Sequence, residues 1–184
     1  MKKTILSILA FVLILGGIIL YCVVNSPKQQ KLVLENTISL DRESMYLIDS
    51  TYFWYESQIE LKDMMSDSLS TDTIISIRNI FQDTIPKVYI YIHTFGVDSV
   101  RLSVRDDFVV GDSDMSSDSI KVTFDKAFQL MKNSGLYIPN SRYCTLRKEV
   151  GSKEANPQYI FGNDKVQIYV DAVTGNVSDT NPAY

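Results

Sequence analysis

Residues 158–177 read QYIFGNDKVQIYVDAVTGNV. Gln158 to Phe161 is a short apolar run. Lys165 to Asp171 alternates Val166, Ile168 and Val170 with Gln167 and Tyr169, the period of two that turns one face of a strand to a core. Gly162-Asn163-Asp164 between them is short enough to make the two runs a hairpin. The next residues, Asp171-Ala172-Val173-Thr174-Gly175-Asn176-Val177, form a tight turn. There Gly175 supplies a positive φ and Asp171 can bond backbone donors, so both residues are read as architectural.

Working upstream, Thr123 caps a helix whose apolar residues Phe124, Ala127, Phe128, Leu130 and Met131 are followed by Gly135, where a left-handed C-terminal residue belongs. Arg142 to Val150 is the first of three strands, with Asn156-Pro157 setting off the second. A capped helix ending in Gly, a polar meander, Tyr159 in a short strand, an alternating strand and a closing Asp171-Ala172-x-Thr174-Gly175-x-Val177 resemble the PepSY domain of secreted and membrane-bound bacterial proteins. The resemblance covers roughly Ser119 to Asp179, about a third of the chain. It implies one helix on an antiparallel sheet, a place outside the cytoplasm, no cofactor and no catalytic residue to carry over. PepSY domains occur in propeptides of secreted metalloproteases and in membrane-anchored proteins, where inhibition or regulation of peptidases has been proposed. A peptidase or another envelope protein is therefore the implied partner.

In the first half, Leu32-Val33-Leu34 and Ile38-Ser39-Leu40 suggest short extended pieces. From Ser50 to Met65 the positions Phe53, Trp54, Ser57, Leu61, Met64 and Met65 recur at three and four residues, which predicts an amphipathic core helix. Ile74, Ile77, Phe81 and Ile85 predict a second helix, capped by Ser70 or Thr71 and ended by Pro86. Lys87 to Phe95, KVYIYIHTF, is a strand, followed after Gly96-Val97-Asp98 by Ser99 to Arg105, where Val100, Leu102 and Val104 alternate with Arg101, Ser103 and Arg105. A helix followed by two antiparallel strands echoes the plan of the C-terminal third. The polar loop Asp106 to Ser119 is the expected boundary between the halves.

At the N-terminus Lys2 and Lys3 precede twenty uncharged residues, Ile5 to Val24. At about 1.5 Å per residue a helix of that length crosses a hydrocarbon core of roughly 30 Å. The positive-inside rule keeps the lysines in the cytoplasm and puts the C-terminal body outside. An uncleaved signal anchor is favoured over a cleaved peptide, since Pro27 would follow the cut after Ser26. Cys22 opens a third reading, a lipoprotein cut before that Cys, although Tyr21 is bulky where lipoproteins carry a small residue. Asn25 to Lys31 is a short polar tether. The expected organisation is a transmembrane signal anchor over 1–25, an α+β subdomain with helices and a β-hairpin over 26–118, and a PepSY-like domain over 119–184. The expected fold class is α+β: an N-terminal transmembrane helix, then helices packed on antiparallel sheets, with one helix and a three-stranded antiparallel meander at the C-terminal end.

The chain is 45% hydrophobic, 11% aromatic and 22% charged, a globular composition. Without Lys2 and Lys3 it carries 16 basic against 22 acidic residues. No basic cluster offers phosphates a surface, so nucleic acid is excluded as a partner. Cys144 has no second cysteine in the body, so no internal disulfide is available there. One His and two distant Cys make no zinc set, and Asp112 to Asp118 lacks the Gly and the closing acid of a calcium loop. The single histidine, His93, shares its strand face with Tyr89, Tyr91 and Phe95. If a helix covers that face the strand is buried on both sides, the favoured reading; if not, Tyr89, Tyr91, His93 and Phe95 form a partner-binding face. With no chemistry legible in these residues, the PepSY resemblance implies a non-enzymatic protein-binding or peptidase-regulating module of the bacterial envelope. The alternatives are an envelope protein that binds a small ligand or wall material, and a hydrolase using two converging carboxylates.

Overall fold

Leu34, Thr37, Ile38, Asp41 and Met45 recur at three and four residues and form the buried stripe of a helix, α1, over Leu34–Ile48. Short extended pieces were the expectation there. Two of the five stripe positions are polar, which hides the helical period from a reading of apolar residues alone. The computed structural model describes residues 32–63, 74–83, 89–95, 99–105, 114–115, 120–148 and 155–181. They belong to one compact unit, Lys31–Tyr184.

After α1 come four strands: β1 (Phe53–Leu61), β2 (Ile74–Gln82), β3 (Tyr89–Phe95) and β4 (Ser99–Arg105). Helix α2 (Phe124–Asn133) follows, then β5 (Tyr143–Arg147), β6 (Gln158–Gly162), β7 (Gln167–Asp171) and the short β8 (Val177–Ser178). All eight strands join one antiparallel sheet in the order β4-β3-β2-β1-β5-β6-β7-β8. This corrects the expected fold class in two respects. The halves share a single sheet, joined where β1 pairs with β5, and both helices expected between Ser50 and Ile85 are strands in their described residues, Met64, Met65, Ser70, Thr71 and Ile85 lying outside these.

The physical reason for the second error lies in the backbone. A register shift between Trp54 and Glu56 inserts one residue, so Trp54 and Ser57, three apart, turn to the same face of β1. A second irregularity between Glu60 and Leu61 does the same for Ile74 and Ile77 on β2. The remaining spacings of four suit a strand as well as a helix. The β-branched Ile74, Ile75, Ile77 and Ile80 then favour the pleated form.

Each half runs helix then four-strand meander, and the first strands of the two meanders, β1 and β5, lie antiparallel at the centre of the sheet. Ile77, Ile59, Cys144, Phe161 and Ile168 are successive cross-strand partners through five strands and form the spine of the main core. α1 contributes Leu34, Ile38 and Met45 to that core, and α2 contributes Phe124, Ala127, Phe128 and Met131. Each large apolar side chain buried there stabilises by roughly 1.5–3 kcal/mol. The opposite face carries ion pairs between Glu60 and Arg142 at 3.2 Å and between Glu56 and Arg147 at 3.7 Å.

The expected loop boundary at 106–119 contains Met115, which is fully buried and whose N–H donates to the Trp54 carbonyl at 2.9 Å. Among the described residues no helix is long and apolar enough to cross a membrane. Ile5 to Val24, Cys22, the tether Asn25 to Lys31 and the turn Gly96-Val97-Asp98 lie outside the described residues, as do all but Asp114 and Met115 of the acidic stretch Asp112 to Asp118.

Candidate binding cleft

The flank of α1 that carries Glu35, Ser39, Arg42 and Tyr46 borders a cleft of about 960 Å³. Its far side is formed by Thr123 at the start of α2 and by Tyr159 of β6, and Trp54 and Phe81 line the sheet side. The Arg42 guanidinium carbon lies 5.9 Å from the Trp54 ring centroid, a cation–π contact across the wall. Glu35 is already engaged: it accepts the backbone N–H of Phe124 at 2.7 Å. Thr123 is engaged as well, its hydroxyl oxygen accepting the Lys126 N–H at 3.3 Å. The Tyr159 hydroxyl donates to the Val122 carbonyl at 2.9 Å, and burial drives its proton affinity far above that of a free phenol.

Beneath the cleft runs a chain of hydrogen bonds with one direction. Trp54 Nε1 donates to Ser57 Oγ at 3.1 Å, Ser57 to Asn79 Oδ1 at 2.5 Å, and Asn79 Nδ2 to Asp41 Oδ2 at 2.6 Å. All four side chains are buried, which explains why α1, β1 and β2 each carry a polar residue on a core face. Burial pushes the Asp41 carboxyl up to about 6, against the opposing effect of its bond from Asn79. A carboxyl of that kind is a general-acid candidate by affinity. Its position argues otherwise: Asp41 faces Asn79 and is not among the cleft-lining residues, so substrate entering the cleft does not meet it.

The surface beside the cleft is unusual. Leu40, Tyr46, Leu47 and Ile48 on the C-terminal half of α1 are 64%, 72%, 79% and 63% exposed. At 100° per residue Tyr46 falls on the cleft flank, with Leu40 and Leu47 on the outer one. Sequence reasoning missed this element because it read Leu32-Val33-Leu34 and Ile38-Ser39-Leu40 as short extended pieces and assigned nothing to residues 41–48. The available signal was the polar-bearing stripe Leu34, Thr37, Ile38, Asp41, Met45.

Of the residues singled out in sequence, Tyr89 and Tyr91 are 3% and 8% exposed, in a small cluster with Tyr55, Ile80 and the half-buried Phe53 on the sheet face away from the main core. The Tyr55 and Tyr89 rings meet edge to face at 6.4 Å. The helix expected to cover them is β1, which lies in the plane of the same sheet. His93 and Phe95 pack on each other with centroids 3.7 Å apart at the other end of the strand, Phe95 being 39% exposed. Burial, aided by Arg78 and Arg101 and opposed by Glu60, holds the His93 pKa below its ordinary value. The four residues therefore do not present one open patch.

Asp171 Oδ1 accepts the N–H groups of Val173 at 2.8 Å and Thr174 at 2.7 Å, and the carboxylate also accepts from Asn156 Nδ2 at 3.0 Å. Burial alone would raise its pKa, but these bonds and one from Gln158 outweigh it and hold the carboxyl below the usual range. Gly175 has φ +80, and a Cβ there would meet Leu130 Cδ1 at 3.2 Å. Cys144 is buried and free, and burial pushes its thiol well up. Among the described residues no group of three or more His, Cys, Asp or Glu is placed to hold a metal ion.

No family model matches the chain, and no curated protein matches its sequence. A crystal structure of a Clostridium difficile 630 protein described as a "putative lipoprotein" is similar over 82% of this chain and 93% of that one, with a TM-score of 0.46 and 12% identity.

Proposed function

We propose that this chain is a non-enzymatic protein-binding module of the bacterial envelope, and that the C-terminal half of α1 is its partner-binding element. The observation that carries the reading is the exposure of Leu40, Tyr46, Leu47 and Ile48, four large apolar side chains within nine residues of one helix. Exposed apolar side chains in that number on a folded body mark protein contacts; the polar Ser39 and Glu43 lie between the flank of Tyr46 and that of Leu40 and Leu47. The cleft beside Tyr46 gives a partner side chain somewhere to insert, against Trp54 and the Arg42 guanidinium. The basic start and uncharged run at the N-terminus support export, and the Asp171 to Val177 turn supports kinship with PepSY domains, hence a peptidase as partner class. A second reading, a small aromatic ligand held in the cleft, is favoured by the Arg42–Trp54 contact.

The test is photocrosslinking from position Tyr46 of the full-length chain in intact cells, alongside a Leu47→Glu variant. The expected result is capture of an envelope protein by the parent and its loss in the variant at unchanged melting temperature. Capture that survives Leu47→Glu would overturn the assignment of α1.

A further inference from the structure

Strand β4 ends the sheet: β3 pairs with one side of it, and no described strand pairs with the other. Edge strands in folded proteins are ordinarily blunted by brevity, bulges, Pro or Lys, because a bare edge templates further pairing. The opposite edge follows that rule, since β8 is two residues long. β4 does not. It runs seven residues, Ser99–Arg105, in unbroken register with Tyr89–Phe95, with no bulge, Pro or Lys; its charged residues are Arg101 and Arg105, both off the apolar row.

Its side chains are arranged unusually for an edge. Val100, Leu102 and Val104 pair with Thr94, Ile92 and Ile90, so they extend the core-facing side of the sheet, yet they are 64%, 53% and 61% exposed. Arg101 and Ser103, paired with His93 and Tyr91, lie on the other face.

We propose that β4 pairs antiparallel with β4 of a second copy of this chain, about a two-fold axis through Leu102, making one continuous sheet across a homodimer. The side-chain order selects this occupant. With the axis at Leu102, Leu102 faces Leu102, Val100 faces Val104 on both sides, and each Arg101 faces a Ser103. The apolar row doubles and no cation meets a cation. Moving the axis to Arg101 sets the two arginines against each other, and sliding the pairing by a single residue places apolar side chains against the polar face. The strand is thus self-complementary in one register, as an isologous interface requires. The backbone groups of its outer edge, which pair with no other strand among the described residues, supply the main-chain bonds of strand addition. The chain already uses the same geometry internally, where β1 and β5 join two like halves antiparallel.

The full-length chain, purified in detergent, is tested by sedimentation and by cysteine trapping in a Cys22→Ser background, Cys144 being buried. The parent is expected to sediment as a dimer and Leu102→Lys as a folded monomer by circular dichroism. Leu102→Cys is expected to form a covalent dimer under mild oxidation at least tenfold faster than Ser99→Cys. The trapping result stands independently should Leu102→Lys fold poorly. A parent that stays monomeric, or equal trapping at positions 99 and 102, overturns the proposal. A monomeric parent whose β4 crosslinks to a different envelope protein also overturns it, in favour of a foreign strand. None of these outcomes touches the α1 assignment, which rests on a different surface.

Discussion

Glu35 Oε1 accepts the backbone N–H of Phe124 at 2.7 Å, so the first turn of α1 caps the first turn of α2 across 89 residues of sequence. The contact ties the opening helix of one half to that of the other and places a carboxylate at the positive end of the α2 dipole. Glu35→Ala should therefore cost about 1 kcal/mol, the usual value of a lost N-terminal cap, and Glu35→Gln less because an acceptor remains. Urea midpoints of the two variants check this. Equal stability of Glu35→Ala and the parent would mean that Thr123 alone suffices as cap.

Asp41 gives the fold a pH dependence of definite sign. Its carboxyl titrates near 3.8 when unfolded and at about 6 when folded, so the folded state holds the proton more tightly. Stability must then fall as pH rises through that interval and level off above it. Asp41→Asn keeps an acceptor for Asn79 and removes the titration, so this component should vanish. At pH 7 the variant should be as stable as the parent or more so, by on the order of 1 kcal/mol after solvent screening. Chemical denaturation at pH 4.5 and pH 7 separates the outcomes, and an unchanged slope would exclude Asp41 as its source.

The part of the fold that sequence conveyed is the part whose core faces are apolar and whose strands are regular. Thr123, Gly135, the Gly162 hairpin and the Asp171 to Gly175 turn all act locally, through caps and positive φ, and local chemistry is what a single sequence displays. The first half was misread because its core faces carry Thr37, Asp41, Ser57 and Asn79, whose burial is compensated by partners as far as 38 residues away. Bulges beside Trp54 and Leu61 then added the spacings of three that imitate a helix. The exposed end of α1 was invisible for the same reason, since a helix that is not recognised has no outer face. Burial of Tyr89 and Tyr91 could be suspected from alternation, but what surrounds them could not.

At the closing turn, Gly175→Val should destabilise by roughly 1–3 kcal/mol, because φ +80 is strained for a β-branched residue and its Cβ would press on Leu130. Asp171 contributes in the opposite pH sense to Asp41. Its folded pKa is depressed, so its stabilisation is present above the ordinary carboxylate range and lost as pH falls through the folded value. Thermal melts of Gly175→Val at pH 7 and of Asp171→Asn across the acid range test both, and a Gly175→Val melt identical to the parent would remove the turn's structural role.

Tyr89 and Tyr91 separate a structural from a recognition role for the outer sheet face. Both are buried, and their cluster with Tyr55 and Ile80 lies across the sheet from the helices, so it is a second core and not an extension of the first. Truncating buried aromatics removes their transfer energy and leaves cavities, at about 3–5 kcal/mol for each complete truncation. The double variant Tyr89→Ser with Tyr91→Ser should accordingly fold poorly, with the loss showing as a lowered melting temperature and weakened near-ultraviolet dichroism. Because His93 and Phe95 sit at the far end of the strand with Phe95 partly exposed, Phe95→Ser should cost far less. A double variant that keeps the parent's stability while losing a crosslinked partner would reverse the assignment and make the tyrosine face, not the C-terminal half of α1, the surface that binds.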